Sequence, residues 1–358
     1  MTKVASDGQS GPAFRSDLAR RLLDHLRDTL RQPALELAEA PVPISGGYDT
    51  KIFAFRLAGA TAPFSGPLIL RLLGPQHDPA RALRERAVQN AVAALGYPAP
   101  RVLTASADVA ILDGAFLVME RAPGRPMLEV RRLGIAGVLA RTQLRLHDLD
   151  ARPLLSTVSQ EGIGEMPSFD SMLADLDRRV TRRPVAGLVQ PMRWLLSHGP
   201  PEPDRRAICH GDFHPQNVLM SGNAVTGVLD WPNAVVADPA YDVAATRVIL
   251  SCAPIEMAAV PGAARVLARL MRPVLLARHL AGYQRRRKLD RTTLAYYEAA
   301  SCMRGLVRVA EARLGSAGGA TALNPLDASS FGERLAVRFA RITGIGAALP
   351  PVRYGAVM

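Results

Sequence analysis

Hydrophobic residues recur along this chain with two different periods. Leu18, Leu22 and Leu26 lie four residues apart in a segment that ends at Pro33, and this spacing predicts an amphipathic helix that Ser16 caps. The residues before it are small and polar, and we expect a disordered lead-in at residues 1–14. The chain therefore begins its folded part with a helix.

From about residue 43 the pattern alternates with a period of two, which is typical of strands. In the segment that follows Lys51, one face of the strand carries Phe53, Phe55 and Leu57. The other face carries Ile52 together with smaller or charged residues. Strands are predicted at Ile52–Leu57, Pro67–Leu73, Pro98–Leu103 and Phe116–Glu120. A helix is predicted at Ala80–Leu95. Beyond residue 139 the periods are mainly helical, so the pattern predicts a strand-rich first part and a helical second part.

The stretch 207–242 carries the candidate chemistry. An apolar run leads into Asp212, and Asn217 follows five residues later. The turn sequence at 221–223, between two β-rich runs, predicts a hairpin whose second strand ends at Asp230. The hairpin would bring two carboxylates and an amide together, and these are ligands that suit Mg²⁺ bound to substrate phosphates.

The HGDxxxxN motif, followed by an aspartate after a hairpin, resembles the aminoglycoside phosphotransferase and choline kinase-like family. These are small-molecule kinases with a protein kinase-like, two-lobed α+β fold. The resemblance implies an antiparallel-sheet N-lobe with the leading helix at residues 15–121 and a mainly helical C-lobe at residues 122–358. It also implies ATP and Mg²⁺ as co-substrate and cofactor, and transfer of the γ-phosphoryl group to a small hydroxylated molecule.

The resemblance assigns roles residue by residue. Asp212 matches the catalytic aspartate that orients the acceptor hydroxyl, while Asn217 and Asp230 match the metal ligands. Asp242 matches an aspartate that braces the catalytic loop from a following helix. His210 and, at the end of a long helix, His147 are expected to be packing residues.

The resemblance also implies a nucleotide site in the N-lobe. Gly46 and Gly47 match the loop that covers the phosphates, and Glu85 matches the glutamate that fixes the phosphate-binding cation. That cation is usually a lysine, but the aligned residue here is Arg71, which is the main departure from the family pattern. The expected adenine-binding hinge contains Met119, Glu120 and Ala122.

Two other functions remain open at this point. The arginine at position 71 is compatible with a catalytically weak, nucleotide-binding pseudokinase, although an arginine binds phosphate well. His210, Asp212 and His214 suggest a metal-dependent hydrolase, but Pro215 disfavours the continuous helix that an i, i+4 metal pair needs. Lys51 is expected to be an exposed strand residue.

Composition and charge limit the kinds of binding partner that the sequence predicts. The 358 residues carry a formal net charge of +12, but the charge is scattered arginine and only 5% of residues are aromatic, so we expect no nucleic-acid binding. The sequence contains no apolar run of membrane-spanning length and no signal-peptide pattern near its start, which favours a cytoplasmic protein without membrane contact. Three widely spaced cysteines are expected to be buried free thiols: Cys209, Cys252 and Cys302. The sequence does not determine the oligomeric state.

The charge near the C-terminus bears on the acceptor. From Ser301 onward the acidic residues are Glu311, Asp327 and Glu333, against seven arginines. A pocket for a polycationic aminoglycoside needs several carboxylates. We therefore predict a neutral, apolar or anionic hydroxylated acceptor, although the acidic residues within 151–205 leave a local acidic patch open.

Overall fold

The computed structural model describes residues 12–44, 50–130, 134–182, 185–253, 262–315 and 330–351. The chain divides into two compact units. Unit 1 is Met1–Arg125, Pro153–Glu165 and Leu219–Pro232, and unit 2 is Pro126–Arg152, Met166–Val218 and Asn233–Met358.

The structure confirms a mixed helix and antiparallel-sheet protein. Its main helices are α1 (Pro12–Leu30), α2 (Ala80–Ala94), α3 (Val109–Leu112), α4 (Ile135–His147), α5 (Arg152–Gln160), α6 (Phe169–Arg182), α7 (Ala186–Ser197), α8 (Pro239–Cys252), α9 (Gly262–Gln284), α10 (Arg291–Gly315) and α11 (Phe331–Thr343). Its strands are β1 (Glu36–Pro43), β2 (Thr50–Ala58), β3 (Leu68–Leu73), β4 (Val102–Ser106), β5 (Phe116–Glu120), β6 (Arg125–Pro126), β7 (Ala207–Cys209), β8 (Val218–Ser221), β9 (Ala224–Val228) and β10 (Val235–Ala237).

Unit 1 is built on a five-stranded antiparallel sheet with the order β1-β2-β3-β5-β4. Side chains alternate between its two faces because successive Cβ atoms of a strand point in opposite directions. One face buries Leu70 and Phe116 against Leu22 and Leu26 of α1. The β2 alternation is as predicted, with Phe53 on this buried face.

The opposite face of the sheet lies under α2. Leu73, Leu117 and Met119 are buried there together with Ala82 of the helix. Arg71 lies two residues before Leu73, so the period of two places it on the same face, towards α2. The sheet thus places a cation beside the helix that carries the predicted glutamate.

The predicted hairpin is present as β8 and β9, joined by the turn at residues 222–223. Val228 at the end of β9 donates its N–H to the carbonyl of Pro98 at 2.6 Å. Trp231, three residues later, is buried with its ring against Tyr97, the centroids 5.8 Å apart. These contacts fix the segment that carries Asp230 within unit 1.

Unit 2 is mainly helical. A two-stranded antiparallel sheet, β7 with β10, pairs Cys209 with Val235 and Ala207 with Ala237. Its core joins residues of α4, α6, α7, α8, α10 and α11, and it includes Tyr241 and Tyr297. Cys209, Cys252 and Cys302 are free and buried, as predicted.

Two predicted element boundaries are wrong. The first helix begins at Pro12, so Ser16 lies inside it rather than at its cap, because proline is well tolerated in the first turn of a helix. The strand expected from Pro98 begins only at Val102, since Pro98 and Pro100 cannot donate to a ladder. Within the described part of the chain, no helix is long and apolar enough to cross a membrane.

Candidate active site

The loop between β7 and β8 carries Asp212 and Asn217 and is closed by its own hydrogen bonds. The backbone N–H of Asp212 donates to Nδ1 of His210 at 3.3 Å, and Nδ2 of Asn217 donates to the carbonyl of Asp212 at 3.0 Å. Among the described residues, nothing donates a hydrogen bond to the amide oxygen of Asn217. The Asp212 side chain is 27% exposed. The loop therefore presents a carboxylate and an amide oxygen to a ligand.

Asp242 braces this loop from α8, as predicted. It is fully buried, and its Oδ1 accepts the N–H of Gly211 at 2.6 Å. Its Oδ2 accepts from Nε2 of Gln143 at 2.9 Å and from Nε2 of His147 at 3.1 Å. Burial acts to raise the pKa of Asp242, but His147, His210 and Gln143 outweigh burial and lower it to about 2. The brace is therefore an ionised carboxylate.

A second layer of buried polar groups holds the residues that contact Asp242. Nδ1 of His147 lies 2.6 Å from the hydroxyl of Tyr283, and the oxygen of Gln143 accepts from Nε2 of His279 at 3.0 Å. Burial lowers the pKa of His279 to about 4, and the positive charge of Arg247 adds to the effect. His147 is a buried structural residue, in agreement with the prediction.

The sequence analysis missed Tyr283 and His279. It also missed Thr246, whose hydroxyl donates to the carbonyl of Phe213 at 2.7 Å. Tyr283 and His279 lie on α9, 136 residues after the α4 residues that they contact, so no local motif connects them. The only signal available was a polar residue at a core-facing helical position.

Within unit 1, Arg71 bridges two carboxylates. Its Nη1 hydrogen-bonds Oε1 of Glu85, its Nη2 donates to Oδ1 of Asp230 at 2.6 Å, and its Nε donates to the hydroxyl of Thr50 at 3.3 Å. The Glu85 side chain is 1% exposed and that of Arg71 is 11% exposed. Burial opposes the charge on Arg71, but Glu85 and Asp230 outweigh burial and raise its pKa. The guanidinium is a fixed cation, and its contact with Glu85 was predicted.

Asp230 adopts an unusual backbone conformation. Its φ of 69° lies in the left-handed region, which non-glycine residues seldom adopt. The buried Trp231 holds the segment in place, and its indole N–H donates to the carbonyl of Val228 at 2.8 Å. Such conformations persist where the surroundings fix them, and they are frequent at functional sites.

The predicted hinge lies at the end of β5. Met119 is buried on the α2 face. The backbone N–H of Glu120 donates to the carbonyl of Arg101 at 3.0 Å, so this N–H is not available to a base. Within the described residues the N–H of Ala122 makes no backbone hydrogen bond. The adenine-binding role of these three residues stays a prediction.

The predicted phosphate-covering glycines, Gly46 and Gly47, lie outside the described residues. Lys51 is exposed, as expected, with its ammonium group 5.0 Å from the centre of the Phe14 ring. The cation buried beside the glutamate of α2 is therefore Arg71, and Lys51 does not take that place.

The geometry does not favour a metal hydrolase. Nε2 of His214 lies 3.7 Å from Asp212, whereas His210 is fully buried behind the loop. In the part of the chain that the structure describes, no group of three or more His, Cys, Asp or Glu side chains is arranged to hold a metal ion.

Comparison with solved structures identifies the fold. A candidate aminoglycoside phosphotransferase from Ralstonia eutropha superposes with a TM-score of 0.63 at 18% identity, over 91% of this chain and 98% of that one. A thermostable mutant of aminoglycoside phosphotransferase APH(4)-Ia, in a ternary complex with ADP and hygromycin B, gives a TM-score of 0.58 at 17% identity, over 90% of this chain and 98% of that one. The fold is therefore that of a protein kinase-like phosphotransferase, as predicted.

The sequence then places the chain within a family. Residues 41–289 match the model of the phosphotransferase enzyme family (APH), and the chain belongs to that family. The members of this family are phosphotransferase enzymes.

Two curated relatives match parts of the chain. Aminoglycoside 3'-phosphotransferase of Streptomyces fradiae is 30% identical over 176 residues, which cover 42% of this chain and 57% of the relative. Acyl-CoA dehydrogenase family member 11 of Gallus gallus is 26% identical over 174 residues, which cover 45% of this chain and 22% of that much longer protein.

Proposed function

We propose that this enzyme transfers the γ-phosphoryl group of ATP, in the presence of Mg²⁺, to a hydroxyl group of a small molecule. The proposal rests on two arrangements of side chains. One is the loop with Asp212 and Asn217, which Asp242 braces, and the other is the buried cation Arg71, which Glu85 and Asp230 hold in place. In the kinase-like mechanism, catalysis comes mainly from positioning and from neutralising charge.

Each group has a defined task in this proposal. Asp212 orients the acceptor hydroxyl and accepts its proton, for which a partly exposed, ionisable carboxylate is suited. Asn217 and Asp230 would hold Mg²⁺, since a carboxylate, an amide oxygen and the phosphates are hard oxygen ligands. When bound, the ion neutralises charge on the β- and γ-phosphates. Arg71 binds the phosphates, and its planar fork of N–H donors matches their geometry.

The contact between Arg71 and Asp230 suggests how the site changes when nucleotide binds. Nη2 of Arg71 now donates to the carboxylate that is proposed to hold the metal. If Asp230 holds the metal, Nη2 of Arg71 would be available to donate to a phosphate, and Nη1 would remain on Glu85. The buried Glu85 would then keep the arginine in place during the exchange.

The acceptor is proposed to be neutral, apolar or anionic. In the described C-terminal helices, Glu311 and Glu333 are already neutralised by Arg179 and Arg313, at 2.5 Å and 2.6 Å. Glu298 is similarly shared between two arginines. Each of these carboxylates is thus already paired with arginine and adds little net negative charge, which supports the acceptor class that the sequence predicted.

Calorimetry of Mg·ATP binding tests the separate roles of the two aspartates. Asp212→Asn should keep nearly the wild-type affinity and lose turnover by about two to four orders of magnitude, because general-base groups contribute roughly that much. Asp230→Ala should instead weaken the metal-dependent binding itself. Asp204→Asn, a change at an exposed residue of unit 2, is the control. An equal loss of ATP binding in both active-site variants would contradict the assigned roles.

A further inference from the structure

Both backbone polar atoms of Gly211, the residue before Asp212, are hydrogen-bonded to side chains. The N–H of Gly211 donates to Asp242 at 2.6 Å, and Nη2 of Arg304 donates to the carbonyl of Gly211 at 2.5 Å. Gly211 has a φ of 73°, and a Cβ atom here would lie 2.3 Å from the carbonyl oxygen of Asn233. The glycine is thus fixed by a carboxylate, a guanidinium and the adjacent backbone.

Arg304, on α10, is itself held in place. Its Nη1 donates to the hydroxyl of Tyr241 at 2.8 Å, and that hydroxyl in turn lies 3.4 Å from the sulfur of Met172, to which it donates. Tyr241 is fully buried. Two nitrogens of one planar guanidinium therefore reach two acceptors at once, which a lysine ammonium on a flexible stem cannot reproduce with the same geometry.

The charge of Arg304 is compensated differently from that of other arginines of this unit. Arg247 and Arg338 pair with Glu298, and Arg313 pairs with Glu333. Within the described residues Arg304 has no carboxylate at ion-pair distance, and its N–H groups donate to a carbonyl and a hydroxyl instead. A charged donor forms a stronger hydrogen bond to such an acceptor than a neutral donor does. Arg304 also lies beyond residue 289, where the match to the family model ends.

We infer that Arg304 is a positioning residue that orients Asp212 through the carbonyl of Gly211. The carbonyl of Gly211 and the N–H of Asp212 belong to one rigid peptide plane, so fixing the oxygen fixes the direction of that N–H. The same N–H donates to Nδ1 of His210. Asn217 holds the carbonyl of Asp212 on the other side of its Cα, so the backbone that carries the Asp212 side chain is fixed on both sides. The inference rests on the proposed role of Asp212.

The test compares Arg304→Met, Arg304→Lys and Arg308→Met. Arg308 is exposed one turn further along the same helix, so its variant removes the same charge from an exposed position. Three quantities are measured: ADP release from Mg·ATP with water as the acceptor, amide hydrogen exchange in a peptide that covers residues 210–213, and the melting temperature. Since small misplacements of reacting groups cost up to about 100-fold, kcat of Arg304→Met should fall about 10- to 100-fold with KM for ATP within about twofold.

Exchange at residues 210–213 should become faster in Arg304→Met and stay unchanged in Arg308→Met. Arg304→Lys should retain an intermediate kcat, because the ammonium can reach one of the two acceptors. Wild-type kcat in Arg304→Met, or a raised KM with unchanged kcat, would overturn the inference. If Arg304→Met does not fold, a wild-type kcat in Arg304→Lys together with unchanged exchange overturns it instead. Asp212→Asn distinguishes a failure of the proposed function from a failure of this inference. If Asp212→Asn is fully active, the proposed function is wrong. If Arg304→Met is fully active and Asp212→Asn is not, only the role of Arg304 is wrong.

Discussion

Replacing Arg71 by methionine should destabilise unit 1 by an amount that depends on pH. The change leaves the carboxyl group of Glu85, 1% exposed, without its cation. Losing one partner of a buried pair typically costs about 3–5 kcal/mol. Glu85 can limit this cost by taking up a proton, which from its ordinary pKa of 4.5 costs about 3 kcal/mol at pH 7. We therefore expect a loss of about 3 kcal/mol at pH 7 and about 1 kcal/mol at pH 5.

The sign follows from proton linkage. In the wild type, burial already raises the pKa of Glu85 although Arg71 acts to lower it, and removing Arg71 raises the pKa further. The folded variant therefore binds more protons than the folded wild type, and its stability relative to wild type recovers as pH falls from 7 towards 4.5. Urea unfolding of both proteins at pH 7, 6 and 5 measures this difference. The double variant Arg71→Met/Glu85→Gln is the matched control and should show no such slope. A loss below about 1 kcal/mol at pH 7, or an equal loss at pH 7 and pH 5, would refute the reasoning.

Two further predictions concern a buried histidine and the acceptor. His279, whose pKa is lowered to about 4 from 6.5, binds fewer protons in the folded state, so wild-type stability should fall by up to about 3 kcal/mol as pH drops from 6.5 to 4. His279→Gln should lack that part of the slope in urea unfolding, and an identical slope would show that another group titrates. For the acceptor, kanamycin should not be phosphorylated with saturation at low micromolar concentration, and a steady-state assay that finds such saturation would contradict the proposed acceptor class.

The features that the sequence predicted best are those that a single short segment encodes. The β8–β9 hairpin and the loop with Asp212 and Asn217 were predictable because turn residues and alternating strands encode them within 24 residues, 207–230. The position of Arg71 facing Glu85 followed from the strand period of two and from the family resemblance. The α1 boundary was predicted wrongly because the small, polar residues before Ser16 indicated a disordered lead-in, whereas the helix begins at Pro12.

The support behind the loop was not predictable for a different reason. Asp242 was expected to brace the loop, but its partners Gln143 and His147 lie almost 100 residues earlier in the chain, and Tyr283 and His279 about 40 residues later. A buried polar group must find a hydrogen-bond partner, yet the sequence does not say which one. The same holds for Arg304, which the sequence analysis counted only as surface charge and which holds the carbonyl of Gly211.

The most direct test of the central claim follows the γ-phosphoryl group itself. Purified enzyme is incubated with Mg²⁺ and ATP carrying a labelled γ-phosphate, across a panel of neutral and anionic hydroxylated compounds, and the labelled product is separated and identified. The account predicts a phosphate ester on at least one such compound, with wild-type enzyme and with Asp204→Asn, and its loss with Asp212→Asn. ATP binding without labelled product from any acceptor, or equal product from Asp212→Asn, would contradict it.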